Sequence, residues 1–268
     1  MGIIDILKMD IRDLKDIRDK DVKEVKENKN DRIIEKIAQK LGYPYKLLPE
    51  MTPGKLTEFY RSEFERGRRE GFTPLVIAGD RYLSEYIDTT FDIENYDVKS
   101  ELENISDECE LMTMTLQDMF EEEPDFDYEE FMGNIEGGEA INYFMSVFEF
   151  GKMAKMTPCA LLEIPTLNPW ETVVYAPFGG WNACPAPADM AAMCRQWYEK
   201  YGAVPAVITH DTLEFVLDKP VSVKEAEALA VRQYLFCNDR VDQGTANGTA
   251  GELADSLTKS KIWYFWWD

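Results

Sequence analysis

The chain has 268 residues and a formal net charge of −22, from 29 basic and 51 acidic side chains. Its content of 45% hydrophobic and 12% aromatic residues is enough for a buried core and excludes a fully disordered chain. No apolar run approaches the roughly 18 residues of a membrane span, and the charged start is not a secretory signal. Five cysteines without a CxxC pair argue against a disulfide framework or a zinc ribbon. We therefore expect a soluble, reduced, cytoplasmic protein that has no membrane partner.

The first 30 residues mix eight acidic with eight basic side chains. Their aliphatic side chains recur at helical 3-4-3 spacing, at Ile4, Leu7, Ile11 and Leu14. This pattern predicts a charged amphipathic helix that either docks on its own domain or mediates self-association. The pattern slips after Ile17, so a strand-like segment around Val22 and Val25 stays an alternative.

Residues 31–158 are predicted to form a helix-rich N-terminal region. Stop signals and apolar spacing define its elements, with Gly42 and Gly71 at helix ends and Gly79-Asp80 closing a strand. The predicted elements are a helix over 31–48, a helix over 57–69, a buried strand over 74–78 and a helix over 139–153.

Most of the acidity lies in one acidic segment, residues 92–139, with 18 acidic side chains and one basic side chain for a net charge of −17. The other 220 residues carry 33 acidic and 28 basic side chains, a net charge of only −5. Because Met, Leu and aromatic residues interrupt the acidic segment, we expect short helices around a loop at Pro124. One face of these helices should pack on the protein and the other should be strongly anionic.

From residue 159 onward the pattern predicts strands alternating with helices. The predicted fold class is therefore α+β, in which a helix-rich N-terminal half precedes a C-terminal mixed sheet packed with helices. Gly202 stops one helix, and Ser222 with Glu225 predicts a capping box at the start of another. The predicted elements are strands over 160–164, 172–175, 206–209 and 213–217, helices over 190–201, 222–236 and 252–257, a loop over 178–185 and a polar loop over 238–251.

The chain ends in five consecutive aromatic residues and an aspartate, Trp263 to Asp268. Exposed aromatics at a terminus would promote aggregation, so we expect a strand in the interior of the sheet with both faces covered.

The C-terminal 110 residues carry a set of motifs in order. They are Phe178-Gly-Gly-Trp-Asn with Cys184-Pro185, Trp197 with Tyr201-Gly-Ala, Asp211, Phe236-Cys237 with Asp239, Gln243-Gly244, Leu253-Ala254 and the closing Trp263 to Asp268. In these motifs residues 159–268 resemble a bacterial family of domains of unknown function, number 4253. The resemblance covers about 40% of the chain and implies an α+β domain with no assigned activity.

Four side chains are candidates for catalysis. His210 is the only histidine, so it is the only candidate histidine base, and with Asp211 it follows a predicted strand. Cys184 lies in a glycine-rich loop before a helix, where backbone amides lower thiol pKa values, although its apolar neighbours equally suit a buried cysteine. Asp239 lies at the end of a predicted element and suits acid–base chemistry or a helix cap.

Two loops are candidates for ligand binding. The first holds Gly179, Gly180, Trp181 and Asn182, whose backbone N–H groups suit an anion, although two glycines also mark a tight turn. Gln243 is the polar candidate in the second loop. Neither loop has a nucleotide-binding motif, and a chain with one histidine cannot form a multi-histidine metal site. We therefore expect no cofactor and no metal. The partial calcium-loop spacing that begins at Asp125 lacks the glycine of its sixth position.

Two functions are compatible with these sequence features. The first is a protein-binding module that captures a basic partner, as immunity proteins and inhibitors do, and its acidic contact residues would be Glu121, Glu122, Glu123, Asp125 and Asp127. The second is a small-molecule hydrolase whose cleft is formed by the 179–184 loop, His210-Asp211 and residues 239–244. A net charge of −22 disfavours nucleic acid as a partner. The residues do not decide whether the protein is an enzyme.

Overall fold

A computed structural model describes residues 29–92, 95–121, 126–149 and 155–267. The amphipathic helix expected over residues 1–30 therefore lies almost entirely outside the described residues. In chain order the elements are α1 Lys29–Leu41, β1 Tyr45–Leu47, α2 Pro53–Glu70, β2 Thr73–Ala78, α3 Arg81–Asp92, α4 Val98–Glu103, α5 Glu110–Thr113, α6 Leu116–Met119, α7 Tyr128–Met132, β3 Cys159–Ile164, α8 Thr172–Tyr175, α9 Pro187–Tyr201, β4 Val204–Ile208, β5 Thr212–Val216, α10 Val223–Phe236, α11 Asp239–Asp242, α12 Ala250–Leu257 and β6 Ile262–Trp266.

The described strands form one mixed six-stranded sheet in the order β1-β3-β2-β4-β5-β6, and the fold is α+β as predicted. The β2–β4 pair is parallel, with Val76 opposite Val207, and the other four pairs are antiparallel. Strand β2 comes from the N-terminal half of the chain and lies between β3 and β4 of the C-terminal half. The two halves therefore share one sheet.

Alternating side chains on the strands supply two hydrophobic clusters, one on each face of the sheet. On one face Leu75, Phe215 and Phe265 pack with helices α1, α3, α9, α10 and α12. On the other face Val76 and Ile262 pack with helix α2 and residues of the 141–149 segment. Because both faces are covered, β2 is buried at every residue, which explains its continuous apolar sequence.

Helix boundaries follow the stop signals in the sequence. Helix α2 starts after Thr52, whose hydroxyl accepts from the N–H of Lys55, and ends at Gly71 in the left-handed conformation with φ of 91°. Helix α9 ends in the same way at Gly202, with φ of 71°. The first predicted helix ends earlier than residue 48, since α1 stops at Leu41 and residues 45–47 form β1.

Two predicted elements are wrong. Residues 172–175, expected as a strand, form helix α8, because a 3₁₀ turn at Pro169–Glu171 leads directly into it and Val173 and Val174 pack into the core as part of that helix. Residues 139–149 are not helical. Several of their backbone N–H groups bond to side chains of distant residues, as with Phe144 to the Thr57 hydroxyl and Met145 to the Glu214 carboxylate.

The aromatic tail forms β6, but β6 is an edge strand and not an interior one. Trp263 and Phe265 are fully buried on the helix-covered face, whereas Tyr264 and Trp266 on the other face are only partly buried. The predicted capping box is also incomplete, because the Ser222 hydroxyl bonds to the Glu225 carboxylate and makes no cap to the backbone. Part of the 238–251 loop is helical, in α11 and at the start of α12.

Candidate functional site

The parallel pair β2 and β4 ends in a pocket at the carboxyl edge of the sheet. Asp80 lies two residues after β2, and His210 lies two residues after β4. Because the strands are parallel neighbours, these two side chains meet although 130 residues separate them. A crevice at the carboxyl ends of neighbouring strands is a common position for ligand sites in sheets flanked by helices.

Asp80 and His210 form the polar centre of this pocket. The His210 Nδ1 lies 2.7 Å from the Asp80 Oδ2, and this hydrogen bond raises the pKa of His210 above its ordinary value although partial burial opposes it. Burial would raise the pKa of Asp80, but hydrogen bonds from His210 and from the Leu83 N–H lower it overall. The Asp80 Oδ1 also accepts from the N–H groups of Tyr82 and Leu83, so Asp80 caps α3 and orients the histidine at once.

Asp211 faces the other nitrogen of the ring. Its Oδ2 lies 3.3 Å from the His210 Nε2 and accepts a hydrogen bond of 2.9 Å from the Trp266 indole N–H. Its Oδ1 accepts from the hydroxyls of Thr209 and Thr212, at 2.8 and 2.9 Å. Asp211 is therefore held in place from three directions, and the imidazole lies between two carboxylates.

The walls of this pocket are aromatic, and we call it the aromatic pocket. It has a volume of about 380 Å³, and its lining residues are Tyr82, Tyr86, Trp181, His210, Asp211, Trp266 and Trp267. Tyr82 lies against the imidazole, with ring centroids 5.2 Å apart, and is itself 62% exposed. Tyr86 packs edge-on against Trp181 and donates from its hydroxyl to the Gly179 carbonyl.

This arrangement suits a planar or cationic ligand. With His210 protonated, the centre carries one positive and two negative charges, and the aromatic faces of its walls attract cations. For hydrolysis, the Asp80–His210 pair supplies an oriented histidine. Among the described residues that line the pocket there is no Ser, Thr, Cys or Lys nucleophile, so an attacking water would be required.

The predicted glycine-rich loop brings one residue, Trp181, to the lining of the aromatic pocket. Gly179 requires its glycine, because φ is 111° and a Cβ would lie 2.0 Å from the Pro185 carbonyl oxygen. The Gly180 N–H donates to the Cys184 and Pro185 carbonyls, so it is not available to an anion. Asn182 adopts a positive φ of 48° and is exposed.

The other candidates lie elsewhere. Cys184 is 4% exposed, and burial raises the pKa of its thiol well above the usual range, so its geometry does not suit a nucleophile. Asp239 and Gln243 bond to each other on one turn of chain, with 2.6 Å between the Gln243 Nε2 and the Asp239 Oδ1, and neither lines the aromatic pocket. In the described part of the chain, no cluster of three or more His, Cys, Asp or Glu side chains could hold a metal ion.

The described residues of the acidic segment form four short helices, α4 to α7, as the sequence predicts. An aromatic cluster fixes the segment to α10: Phe120 stacks on Phe126 with centroids 4.0 Å apart, and Phe131 packs on Tyr234 at 4.8 Å. Arg232 of α10 donates to two carbonyls of the segment, those of Leu111 and Met114.

Of the five predicted contact residues, Glu121 and Asp127 are exposed on this surface. Asp127 also caps α7 by accepting from the N–H groups of Glu129 and Glu130. The other three, Glu122, Glu123 and Asp125, lie outside the described residues.

Sequence reasoning missed the residues that the N-terminal half brings to the aromatic pocket. The sequence pattern assigns Asp80 only to a turn, and it does not single out Tyr82 or Tyr86. The available signal was a carboxylate directly after a buried strand, which is the same position that His210 occupies. That β2 and β4 are neighbours could not be inferred, because 125 residues separate the two strands and no local pattern encodes their pairing.

None of the described helices is both long enough and apolar enough to cross a membrane. No curated protein and no solved structure matches the chain. A family model does match residues 160–268, from the second residue of β3 through the aromatic tail. This segment contains Trp181, His210 and Asp211 of the aromatic pocket, whereas Asp80 lies outside it. The model that matches is that of the family described as Domain of unknown function (DUF4253), in agreement with the motifs of this segment.

Proposed function

We propose that this protein binds a basic protein partner through the surface of its acidic segment. The observation that carries the proposal is that the described part of the segment is fixed to the body of the protein. Aromatic packing on Tyr234 and hydrogen bonds from Arg232 hold its short helices. Carboxylates on a fixed surface lose less conformational freedom on binding than those on a flexible tail, which favours a specific complex.

Charge and exposed apolar side chains have separate roles in this proposal. A local net charge of −17 accelerates the encounter with a positively charged protein. Met119 and Tyr128 are 37% and 47% exposed beside the carboxylates and would supply apolar contact area in the complex. The Tyr128 hydroxyl already lies 3.4 Å from the Glu227 carboxylate, which limits the orientations of its ring.

The test compares two variants of equal net charge. The surface variant neutralises the five contact residues, with glutamine at positions 121, 122 and 123 and asparagine at positions 125 and 127. Asparagine is as good a helix cap as aspartate, so Asp127→Asn retains the cap of α7. The control variant neutralises five exposed acidic residues elsewhere, with glutamine at positions 50, 58, 65 and 199 and asparagine at position 218.

Each protein serves as bait for a cell extract at low and at high salt, and retained proteins are identified by mass spectrometry. We expect the wild type and the control variant to retain the same basic protein at low salt in a stoichiometric amount. The surface variant should lose it, and high salt should release it from all baits. Equal retention by the surface variant would refute the proposal.

A second candidate is a small-molecule hydrolase at the aromatic pocket, and the hydrogen-bonded Asp80–His210 pair favours it. In this mechanism the neutral form of His210 takes a proton from a water molecule at its Nε2, and Asp80 orients the imidazole through Nδ1. The aromatic walls bind a planar or cationic substrate. A panel of chromogenic esters, amides and phosphoesters provides the assay. Any activity should be lost in His210→Gln and kept in Cys184→Ala, whereas activity that survives His210→Gln would refute the role of the histidine.

A further inference from the structure

A buried arginine without a counter-ion lines a second cavity. Arg240 on α11 is 4% exposed, and its Nε and Nη2 atoms are buried with no hydrogen-bond partner. No ion pair joins it to an acidic group among the described residues, and its guanidinium carbon lies 5.9 Å from the centre of the Phe265 ring. A guanidinium is charged throughout the physiological range, so burying it without a partner is strongly unfavourable.

The cavity beside Arg240 has a volume of about 390 Å³, large enough for a small ligand. It lies between residues 137–141, the turn after α11 and helix α12, and shares no lining residue with the aromatic pocket. Gly137, Gly138 and Gly244 leave parts of its wall without side chains. A Cβ at Gly138 would lie 2.2 Å from the Ser256 backbone nitrogen, so this close packing requires glycine.

Two acidic residues, Glu139 and Glu252, also line this cavity, but neither forms an ion pair with Arg240 in the described structure. Both carboxylate oxygens of Glu252 accept backbone N–H groups, those of Ala246 and Asn247, at 2.8 Å each. Glu139 is exposed. Near the cavity the Lys259 ammonium donates to the Gly138 carbonyl and to the Asp255 carboxylate, so its charge is already paired.

We propose that this cavity binds a small oxyanion, a carboxylate or phosphate group, with the Arg240 guanidinium as its principal ligand. An oxyanion accepts two parallel N–H bonds from a guanidinium, which would satisfy both unpartnered atoms at once. Burial lowers the pKa of Arg240 to about 10, and a bound anion would reverse that change. None of the five proposed partner contacts of the acidic segment is among the described residues that line this cavity.

Thermal unfolding in sodium phosphate, sodium acetate and sodium chloride at equal ionic strength tests this proposal. A ligand at about ten times its Kd shifts the unfolding equilibrium roughly tenfold, so the midpoint should rise in phosphate or in acetate relative to chloride. A rise in phosphate alone assigns a phosphate group, and a rise in acetate alone assigns a carboxylate. If neither anion raises the midpoint, the cavity holds only water and the proposal is wrong.

Two variants localise the effect. Arg240→Met should abolish the anion-dependent rise, whereas Arg68→Met, which removes an exposed arginine with 65% of its side chain accessible, should retain it. Arg240→Lys keeps the charge but loses the paired N–H groups, so calorimetric titration with phosphate or acetate should give a Kd at least about tenfold weaker than for the wild type. This lysine variant remains informative if the methionine variant does not fold. Equal affinity in Arg240→Lys, or an equal midpoint rise in Arg240→Met, would overturn the proposal.

Discussion

The buried carboxyl group of Glu214 should make the stability of this protein fall as the pH rises. Glu214 on β5 is fully buried and accepts hydrogen bonds from the Met145 N–H at 2.9 Å and from the Ser146 hydroxyl at 2.6 Å. Burial raises the pKa of Glu214 from 4.5 to about 7, although these hydrogen bonds and one from the Ser146 N–H oppose the change. Between these two pH values the folded protein binds more protons than the unfolded chain, so stability is lost as the pH rises.

The size of this effect follows from the two pKa values. A difference of 2.5 units at about 1.4 kcal/mol per unit makes a loss of roughly 3 kcal/mol between about pH 4 and pH 8. In Glu214→Gln the same contribution is absent, because glutamine does not ionise. The variant has its own pH-independent offset in stability, since an amide cannot accept all the hydrogen bonds that the carboxylate accepts.

Urea unfolding of wild type and Glu214→Gln at constant ionic strength and several pH values measures this difference. We expect the free energy of unfolding of the wild type to fall relative to the variant by about 3 kcal/mol over this range. The contribution of His210 is present in both proteins and cancels. Glu58→Gln, which changes an exposed glutamate, should instead parallel the wild type. If the Glu214→Gln and wild-type curves are parallel, Glu214 is not a buried acid of raised pKa.

Three further outcomes are expected. The fragment 159–268 lacks β2, which lies between β3 and β4, so its thermal unfolding followed by circular dichroism should not be cooperative. A cooperative transition would show that the remaining strands pair without β2. Tyr60→Phe should lower the free energy of unfolding by about 1–2 kcal/mol, since the buried hydroxyl bonds to the Pro74 and Pro205 carbonyls, and unchanged stability would mean that these bonds contribute nothing. Cys184 should resist alkylation in the folded protein and react in urea, because burial shields its thiol and raises its pKa, and rapid alkylation of the native protein would contradict this.

The elements that could be predicted from sequence are those whose ends carry a local stop signal, such as a glycine after a helix. Gly71 and Gly202 end their helices in the left-handed conformation that only glycine adopts easily, and both predicted stops are confirmed. The short run Thr172–Tyr175 had no such signal, since β-branched residues in a buried segment fit a strand or a helical turn. The conformation of residues 139–149 depends on distant side chains, because the Thr57 hydroxyl and the Glu214 carboxylate accept backbone N–H groups that a helix would bond internally.

The same limit applies to the candidate site. Sequence reasoning singled out Trp181, His210 and Asp211, and the structure places all three in the lining of one pocket. It also singled out Cys184, which the fold buries outside that lining. Asp80 completes the pocket only because β2 pairs in parallel with β4, a contact between distant parts of the chain. The aromatic tail was expected to have both faces covered, but β6 lies at the sheet edge, which leaves Trp266 half-buried and able to donate to Asp211.

The most direct test of partner binding by the acidic segment is the association rate of the captured partner with wild type, surface variant and control variant over a range of salt concentrations. Electrostatic steering by the surface predicts that wild type and control variant associate fast at low salt and slow steeply as salt rises. The surface variant should associate at least about tenfold more slowly at low salt and depend much less on salt. Indistinguishable rates and salt dependences for the surface variant and the wild type would show that the acidic segment does not contact the partner.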